Sequence, residues 1–418
     1  MPADEWRPHP PAGSEKGSPV PSETLGHNRD FRLLWLAQAL TTTGLLAAVV
    51  AVPLFVLGTT GSAADAGLVG FCVLATTAVA TLPGGQIVDR HDRRTVLVCC
   101  TCGSAVAMGL LAVMVHVGAA TMPVVLVLTA AEGALRGTLG SAGVAALSRV
   151  VPAERLSTAL AANYARLAVA GLIGPMVAGG LFELAPELPF AVAALGLLVA
   201  TVCVMAIRTP LPAPTTRGPV GLVAGLTFLW RDGIIRRFTL VQSVHNTVFS
   251  TVPLLVAAVG VWHHTSSLSI GLVYALTGAG SLLGAIVAAT VSRRLSPWAA
   301  ILIVCWVPAV LLALSAAMPS LGVLAVALTV GSFVSPPADA VLGAARLLRT
   351  PDALQGRAQA AASLVAMGMT PLGPPMAGLL IDHTSVAIAL LVLAVALAAL
   401  AVAAMSSAQL RALGGQRA

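Results

Sequence analysis

Twelve stretches of this chain are almost wholly apolar, with short polar segments between them. They run over residues 32–57, 67–88, 95–117, 121–147, 157–182 and 188–207, then 238–261, 268–291, 297–317, 320–345, 358–380 and 384–405. Each is close to the ~20 residues a helix needs to cross a hydrocarbon core ~30 Å thick. A helix satisfies every backbone amide within its own segment, which lipid cannot do. The pattern predicts an all-α membrane protein of twelve transmembrane helices, numbered here as spans one to twelve.

The polar segments are not alike. Of the 23 lysines and arginines, 21 fall before span one, after span twelve, or in alternate connections, such as Arg90, Arg93 and Arg94, or Arg149 and Arg155. The other connections (58–66, 118–120, 183–187, 262–267, 318–319 and 381–383) hold none. Basic residues mark the cytoplasmic side of a membrane protein, so the pattern predicts both termini in the cytoplasm of a cell-membrane protein. Residues 1–31, rich in Pro, Gly, Ser and charge, read as a disordered tail rather than a signal peptide. Two six-helix bundles follow, 32–207 and 238–405, joined by a linker over 208–237. The linker opens on Pro210, Pro212, Pro214 and Pro219 and closes on an amphipathic interfacial helix from Leu222 to Phe238. Residues 406–418 are a second tail.

Composition sharpens this reading. Of the 418 residues 57% are hydrophobic and 9% charged, with a mean hydropathy of +0.93. Soluble domains carry roughly 25% charged residues. The net charge of +7 is distributed between spans rather than along one face, which argues against a nucleic-acid partner. The six cysteines lie in apolar runs; Cys99 and Cys102 have the spacing of a thiol pair, but no further ligand stands near to complete a metal site. Lys16 is the only lysine and no phosphate-binding Gly-x4-Gly-Lys loop is present, so ATP drive is unsupported. Nor is there a cluster of catalytic residue types at one membrane face, and the chain does not read as an enzyme. The high ratio of arginine to lysine and the alanine-rich spans suit a bacterium of high GC content.

The second half repeats the first. Between Thr129–Gly180 and Leu328–Gly378, Pro152 recurs as Pro351, Gly174-Pro175 as Gly373-Pro374 and Ala178-Gly179 as Ala377-Gly378, at a constant offset of 199. Such repeats underlie many transporters. The charges inside the stretch do not recur: Glu132, Arg136 and Arg166 have Gly331, Ser335 and Val365 as counterparts. An ionisable group within a span is costly and tends to line a cavity or pair with another. Glu132 lies ~15 Å below one end of span four, with Arg136 a turn further along the same face and Arg166 at similar depth in span five. A carboxylate takes up a proton more readily when desolvated and less readily beside an arginine. Glu132, with Arg136 and Arg166, is therefore the candidate proton-coupling group, the competing reading being a static buried ion pair. Asp339 in span ten is a second candidate. Gln38, Thr42, His245 and Asn246 are polar groups at cavity depth, suited to a substrate or to helix packing. Glu183 and Asp382 occupy matching positions at the ends of spans five and eleven.

Three local patterns resemble the major facilitator superfamily. Gly85-Gln-Ile-Val-Asp89-Arg90-His-Asp92-Arg93-Arg94 is similar to the family's signature loop, Gly-x3-Asp-Arg-x-Gly-Arg-Arg, with Asp92 in place of the second glycine. Gly171-x2-Gly174-Pro175-x2-Ala178-Gly179 resembles the helix motif of exporter branches. Asn28-Arg-Asp-Phe-Arg-Leu-Leu-Trp35 and Phe228-Leu-Trp-Arg-Asp-Gly-Ile-Ile-Arg-Arg237 look like bacterial macrolide and enterobactin efflux members. The resemblance implies a monomeric secondary transporter that exports an amphipathic small molecule by alternating access. It would run on the proton-motive force, with protons, substrate and bilayer as its partners and no cofactor. Import or facilitated diffusion of a metabolite is the alternative. The resemblance also implies that Asp89 docks near the start of span eleven, by Arg357, as a gate between the halves; a solvated topology signal is the plainer reading of that loop.

Overall fold

A computed structural model of the chain describes residues 28–152, 155–211, 222–351 and 354–411. Most of both tails lies outside them, with Arg7, Lys16 and Arg417, as do Pro212, Pro214, Arg217 and Pro219 of the linker. Among the described residues there are helices and no strand. Twelve helices are long and apolar enough to cross a membrane, and they fall on the twelve apolar stretches. Polar caps mark where they start. Asn28 accepts a hydrogen bond from the Phe31 amide, Ser62 from Asp65, Asp92 from Thr95 and Asp232 from Ile234 and Ile235; Ser266, Ser296, Ser320 and Ser385 do likewise for spans eight, nine, ten and twelve. Asp92 is thereby accounted for. With φ −57° and ψ 124° it needs none of glycine's freedom, and its carboxylate starts span three.

Two elements differ from the sequence reading. The helix read from Leu222 to Phe238 is two helices. A linker helix spans Leu222–Arg231, and Asp232 then caps Gly233, so that Arg236 and Arg237 belong to span seven. Span eleven is not continuous either. It runs Gln355–Gly368, a 3-10 turn at Thr370–Leu372, then Gly373–His383. Its repeat partner, span five, passes straight through Pro175 over Leu156–Leu184. Span eleven adds Pro371 and Pro375 around Pro374, removing more amide donors than one helix turn absorbs. Span seven breaks opposite it, at Thr251, between Gly233–Ser250 and Val252–Trp262. Ser250 Oγ donates to the Thr370 carbonyl at 2.8 Å, and Gly373 sits against the Thr247 carbonyl. Each break thus supplies partners or space for the other.

Within each half, spans two and four, and spans eight and ten, are closely packed. A Cβ on Gly133 or Gly137 would lie 2.5 Å from the Val73 and Thr77 carbonyls of span two. In the other half the small residues sit on span eight, where Gly280 and Gly284 press on the Thr329 and Phe333 carbonyls. The halves meet along spans five and eight, two and eleven, and one and seven. Arginines crowd one end of the bundle and are absent from the connections at the other. The closest approaches lie toward the arginine-poor end: Gly179 on the Ser267 carbonyl, the Pro175 carbonyl 2.5 Å from a Cβ on Gly271, and the Pro374 carbonyl 2.5 Å from one on Gly67. Gly174 turns instead to span one, where a Cβ on it would lie 3.2 Å from the Thr43 carbonyl, and the Gly171 carbonyl would lie 2.8 Å from a Cβ on Gly278. The exporter-type glycines are therefore seam and packing contacts of an unbroken helix.

Candidate transport site

Span four carries Glu132 and Arg136 one turn apart, and the close approach of span two brings Thr77 beside them. Arg136 Nε stands 4.0 Å from a Glu132 oxygen, and Arg136 Nη2 donates to Thr77 Oγ1 at 3.3 Å. The Nε itself is buried without a hydrogen-bond acceptor. This is a loose pair. Arg166 is held elsewhere. Buried to 6% exposure, it forks onto Asn163 Oδ1 from Nε (3.1 Å) and Nη2 (2.8 Å), while Nη1 donates to Thr42 Oγ1 at 2.6 Å and to the Gln38 carbonyl. Gln38 Nε2 in turn donates to the Gly143 carbonyl at 3.2 Å. Spans five, one and four are laced together by this chain, and of the two arginines expected near Glu132 only Arg136 is beside it.

Two cavities flank the pair. One, of about 310 Å³, lies inside the first half and is lined by Gln38, Thr42, Asn163 and Arg166 among others. The second, of about 420 Å³, lies between the halves, where Asn246, Phe249, Met367 and Pro374 face Val52 and Val69. Glu132 and Arg136 line both, with Leu45, Ala48 and Met108. They form the wall between the two spaces.

The other expected residues divide. Asn246 lines the cavity between the halves, and Gln38 and Thr42 line the one within the first half. His245 lines neither. It is buried against Ser335 Oγ (3.3 Å) and stacked on Phe249 at 4.4 Å between ring centroids. This stack explains the missing charges of the repeat: Ser335 stands where Arg136 does, and a Cβ on Gly331, the counterpart of Glu132, would meet the Phe249 ring at 3.4 Å. Aromatic rings fill in the second half what an ion pair occupies in the first. Asp339 is exposed, makes no hydrogen bond or salt bridge among the described residues, and borders neither cavity.

The signature loop is split. Arg93 is buried and donates to the Ala145 carbonyl at 3.1 Å, and Arg94 donates to the Met205 carbonyl, so both are tied to their own half. Gly85 is half-buried, and Asp89 and Arg90 are exposed; Asp89 has no hydrogen-bond or ionic partner among the described residues. The Arg357 backbone packs on Gly225 of the linker helix. The expected docking of Asp89 beside Arg357 is not made in this conformation, because the halves close at the opposite end. Span seven packs on span one chiefly through Val252–Trp262.

Three features were missed from sequence. Asn163 precedes Arg166 by one helical turn, a spacing that signals a possible partner without selecting it. In the second half, Arg346 is buried and donates to Gln242 (3.1 Å) and Gln359 (3.5 Å). Gln242 follows its cap Asp232 by the same ten residues that separate Gln38 from Asn28, and that alignment could have found it. The third is the set of contacts made by Asp382, described below.

Twelve membrane helices in two similar halves around a cavity define a secondary-transporter architecture. Residues 34–321 match the Major Facilitator Superfamily. The chain belongs to that superfamily: it is a multi-pass membrane transporter, not an enzyme. It is 26% identical over 381 residues to the multidrug efflux pump Tap of Mycobacterium tuberculosis, covering 87% of this chain and 89% of Tap. It is 26% identical over 277 residues to the enterobactin exporter EntS of Salmonella typhimurium, covering 64% and 65%. Among solved structures it resembles the nucleoside transporter NupG (TM-score 0.76, 13% identity, 90% of this chain and 99% of that one). It also resembles an inward-facing bacterial homologue of the iron transporter ferroportin (TM-score 0.69, 19% identity, 91% and 99%).

Proposed function

We propose that this chain is a proton-coupled antiporter that exports an amphipathic small molecule from the cytoplasm. The observation that carries the reading is the position of Glu132 and Arg136 in the wall between two cavities. Substrate enters the space between the halves, whose lining is apolar apart from the pair, Asn246 and a few hydroxyls. Protons reach Glu132 through the cavity of the first half, past the polar side chains of Gln38, Asn163 and Arg166. An arginine at contact distance favours the carboxylate and its withdrawal favours the acid, so a substrate that displaces Arg136 changes the proton occupancy of Glu132. The loose 4.0 Å contact suits a partner that must leave. Named multidrug and enterobactin exporters among the relatives favour outward transport.

In this reading the arginine-rich end is cytoplasmic and both termini lie there, in the plasma membrane of a bacterium. The monomer works without a cofactor, on the proton-motive force, ~2.3 kcal/mol per charge per 100 mV for its electrical part. The conformation described opens toward the cytoplasm. When the halves close there, Asp89 meets the start of span eleven, with Gly85, Arg90 and Arg357 around it. The competing reading, an importer or facilitator, draws on neighbours titled as nucleoside and peptide transporters, which are alike in fold alone.

Deleting the gene and screening a panel of antibiotics and siderophores identifies a substrate. Proteoliposomes then test the coupling. Substrate-driven proton release should fall at least tenfold in Glu132→Gln, while substrate exchange between equal pools survives. Equal proton release by variant and parent would remove Glu132 from the mechanism. Concentrative movement that persists in a proton ionophore would remove the proton as the driving ion.

A further inference from the structure

We propose that Asp382 and Glu183 are paired latches that hold the arginine-poor end of the transporter closed, and that Asp382 sets the balance between its two states. The proposal rests on membership of the superfamily and holds whichever way the substrate travels and whatever ion drives it.

The first turn of a helix leaves amides without partners and carries about +0.5 charge. At span two, Asp382 arrives from the end of span eleven, in the other half of the protein. One oxygen accepts from the Ala63 amide at 2.8 Å, and the other from the Ala64 amide and Ser62 Oγ, each at 2.8 Å. Ser62 Oγ meanwhile accepts from Asp65. The cap of span two is therefore complete only while the two halves touch. At span eight the same arrangement recurs with the halves exchanged, Glu183 at the end of span five accepting from the Leu268 amide at 3.3 Å. Positions 183 and 382 are related by the 199-residue repeat, so the two latches are one device used twice.

Their surroundings suit a latch that opens. The connections at this end contain no lysine or arginine; the basic side chain nearest Asp382 is its neighbour His383. Water can replace the helix amides when the seam parts. Beneath each latch the backbones meet through glycine, Gly378 on the Ala63 carbonyl and Gly179 on the Ser267 carbonyl. The two latches are unequal. Asp382 makes three bonds at 2.8 Å and Glu183 one at 3.3 Å, which places most of the holding strength on Asp382. At the opposite end Asp89, the residue expected to close the alternate state, has no hydrogen-bond or ionic partner among the described residues. One carboxylate is engaged while the other is free.

Hydrogen–deuterium exchange of the full chain in lipid nanodiscs tests this. Asp382→Asn keeps the side chain's size and removes its charge. Exchange should rise about tenfold at the starts of spans two and eight and along Gly67–Gly70 and Gly271. It should fall around Asp89 and the start of span eleven, as the arginine-rich end closes more often. Glu183→Gln should do the same by about two- to threefold. Ser62→Ala, which spares both amide bonds, should lie between the parent and Asp382→Asn. A change confined to residues 63–65 would show a local helix cap and overturn the latch, as would exchange unchanged from the parent. Should Asp382→Asn fail to fold, Glu183→Gln and Ser62→Ala still decide the matter by whether the two ends respond in opposite directions.

Discussion

Valine in place of Gly271 should leave a folded protein in the membrane and reduce transport at least tenfold. A Cβ there would stand 2.5 Å from the Pro175 carbonyl and 3.2 Å from the Met176 Cα, both backbone atoms that no rotamer change can move aside. Overpacking of this kind costs about 1–3 kcal/mol, a factor of about 5 to 150 in an equilibrium. Inside one bundle the strain would have to be absorbed by distortion. Here it lies on the seam between the halves, and parting them relieves it. The variant should therefore populate the state open at the arginine-poor end and spend little time in the other, stalling the cycle. Gly67→Val, with its Cβ 2.5 Å from the Pro374 carbonyl, should act alike through the other seam. Gly322→Ala, whose added Cβ meets nothing within 4 Å, is the control and should transport normally. Flux into vesicles and distances between spin labels across the two ends are the measurements. A Gly271→Val protein with parental flux would show that the seam does not close during transport.

The second large effect should follow loss of Arg166. Arg166→Leu removes a forked pair of bonds to Asn163 and two more to span one, leaving the half-buried Asn163 amide oxygen without its donor, while the Gln38 carbonyl keeps the Thr42 hydroxyl. A hydrogen bond to a charged group contributes about 1.5–3 kcal/mol and an abandoned partner costs about 1–3; allowing for relaxation, a loss of about 3 kcal/mol is expected. Arg166→Lys keeps the charge but cannot fork, and should recover less than half of that stability. Thermal unfolding in detergent measures this part, with the leucine variant lowered by about 5 °C or more. Under the proposed proton coupling, flux should fall at least tenfold in both variants, because the guanidinium lines the same cavity as Glu132. Parental flux in the leucine variant despite its lowered stability would make Arg166 a structural tie only.

The twelve spans were legible because a membrane demands a fixed apolar length, a property of the chain alone. The repeat was legible for a similar reason, since Gly-Pro anchors at constant offset mark backbone constraints shared by both halves. Shared anchors did not mean shared geometry. Gly174-Pro175 and Gly373-Pro374 look alike, yet span five continues and span eleven breaks, because Pro371 and Pro375 add to the loss of donors and span seven breaks opposite. The charges of the site were found at once, since Glu132 and Arg136 are anomalies in an apolar run. Their partners were not. Which residue Arg166 holds depends on which faces of spans one and five meet, and sequence spacing within one helix cannot say. Of the two uses open to His245, substrate or helix packing, the structure shows packing, a choice its depth alone cannot make. The docking of Asp89 is a different case. Residue types describe a gate that can form, and the conformation decides whether it has formed.

The wall that Glu132 and Arg136 make between the two cavities has a consequence for how such a protein can change over time. In the proposed mechanism, ligand selectivity and energy supply occupy separate rooms with one shared partition. Substitutions at Phe249, Asn246 or Met367 reshape the room between the halves without touching Gln38, Asn163 or Arg166. A lineage can therefore exchange one cargo for another while its powering machinery stays intact, and a single scaffold can serve many chemically unrelated loads.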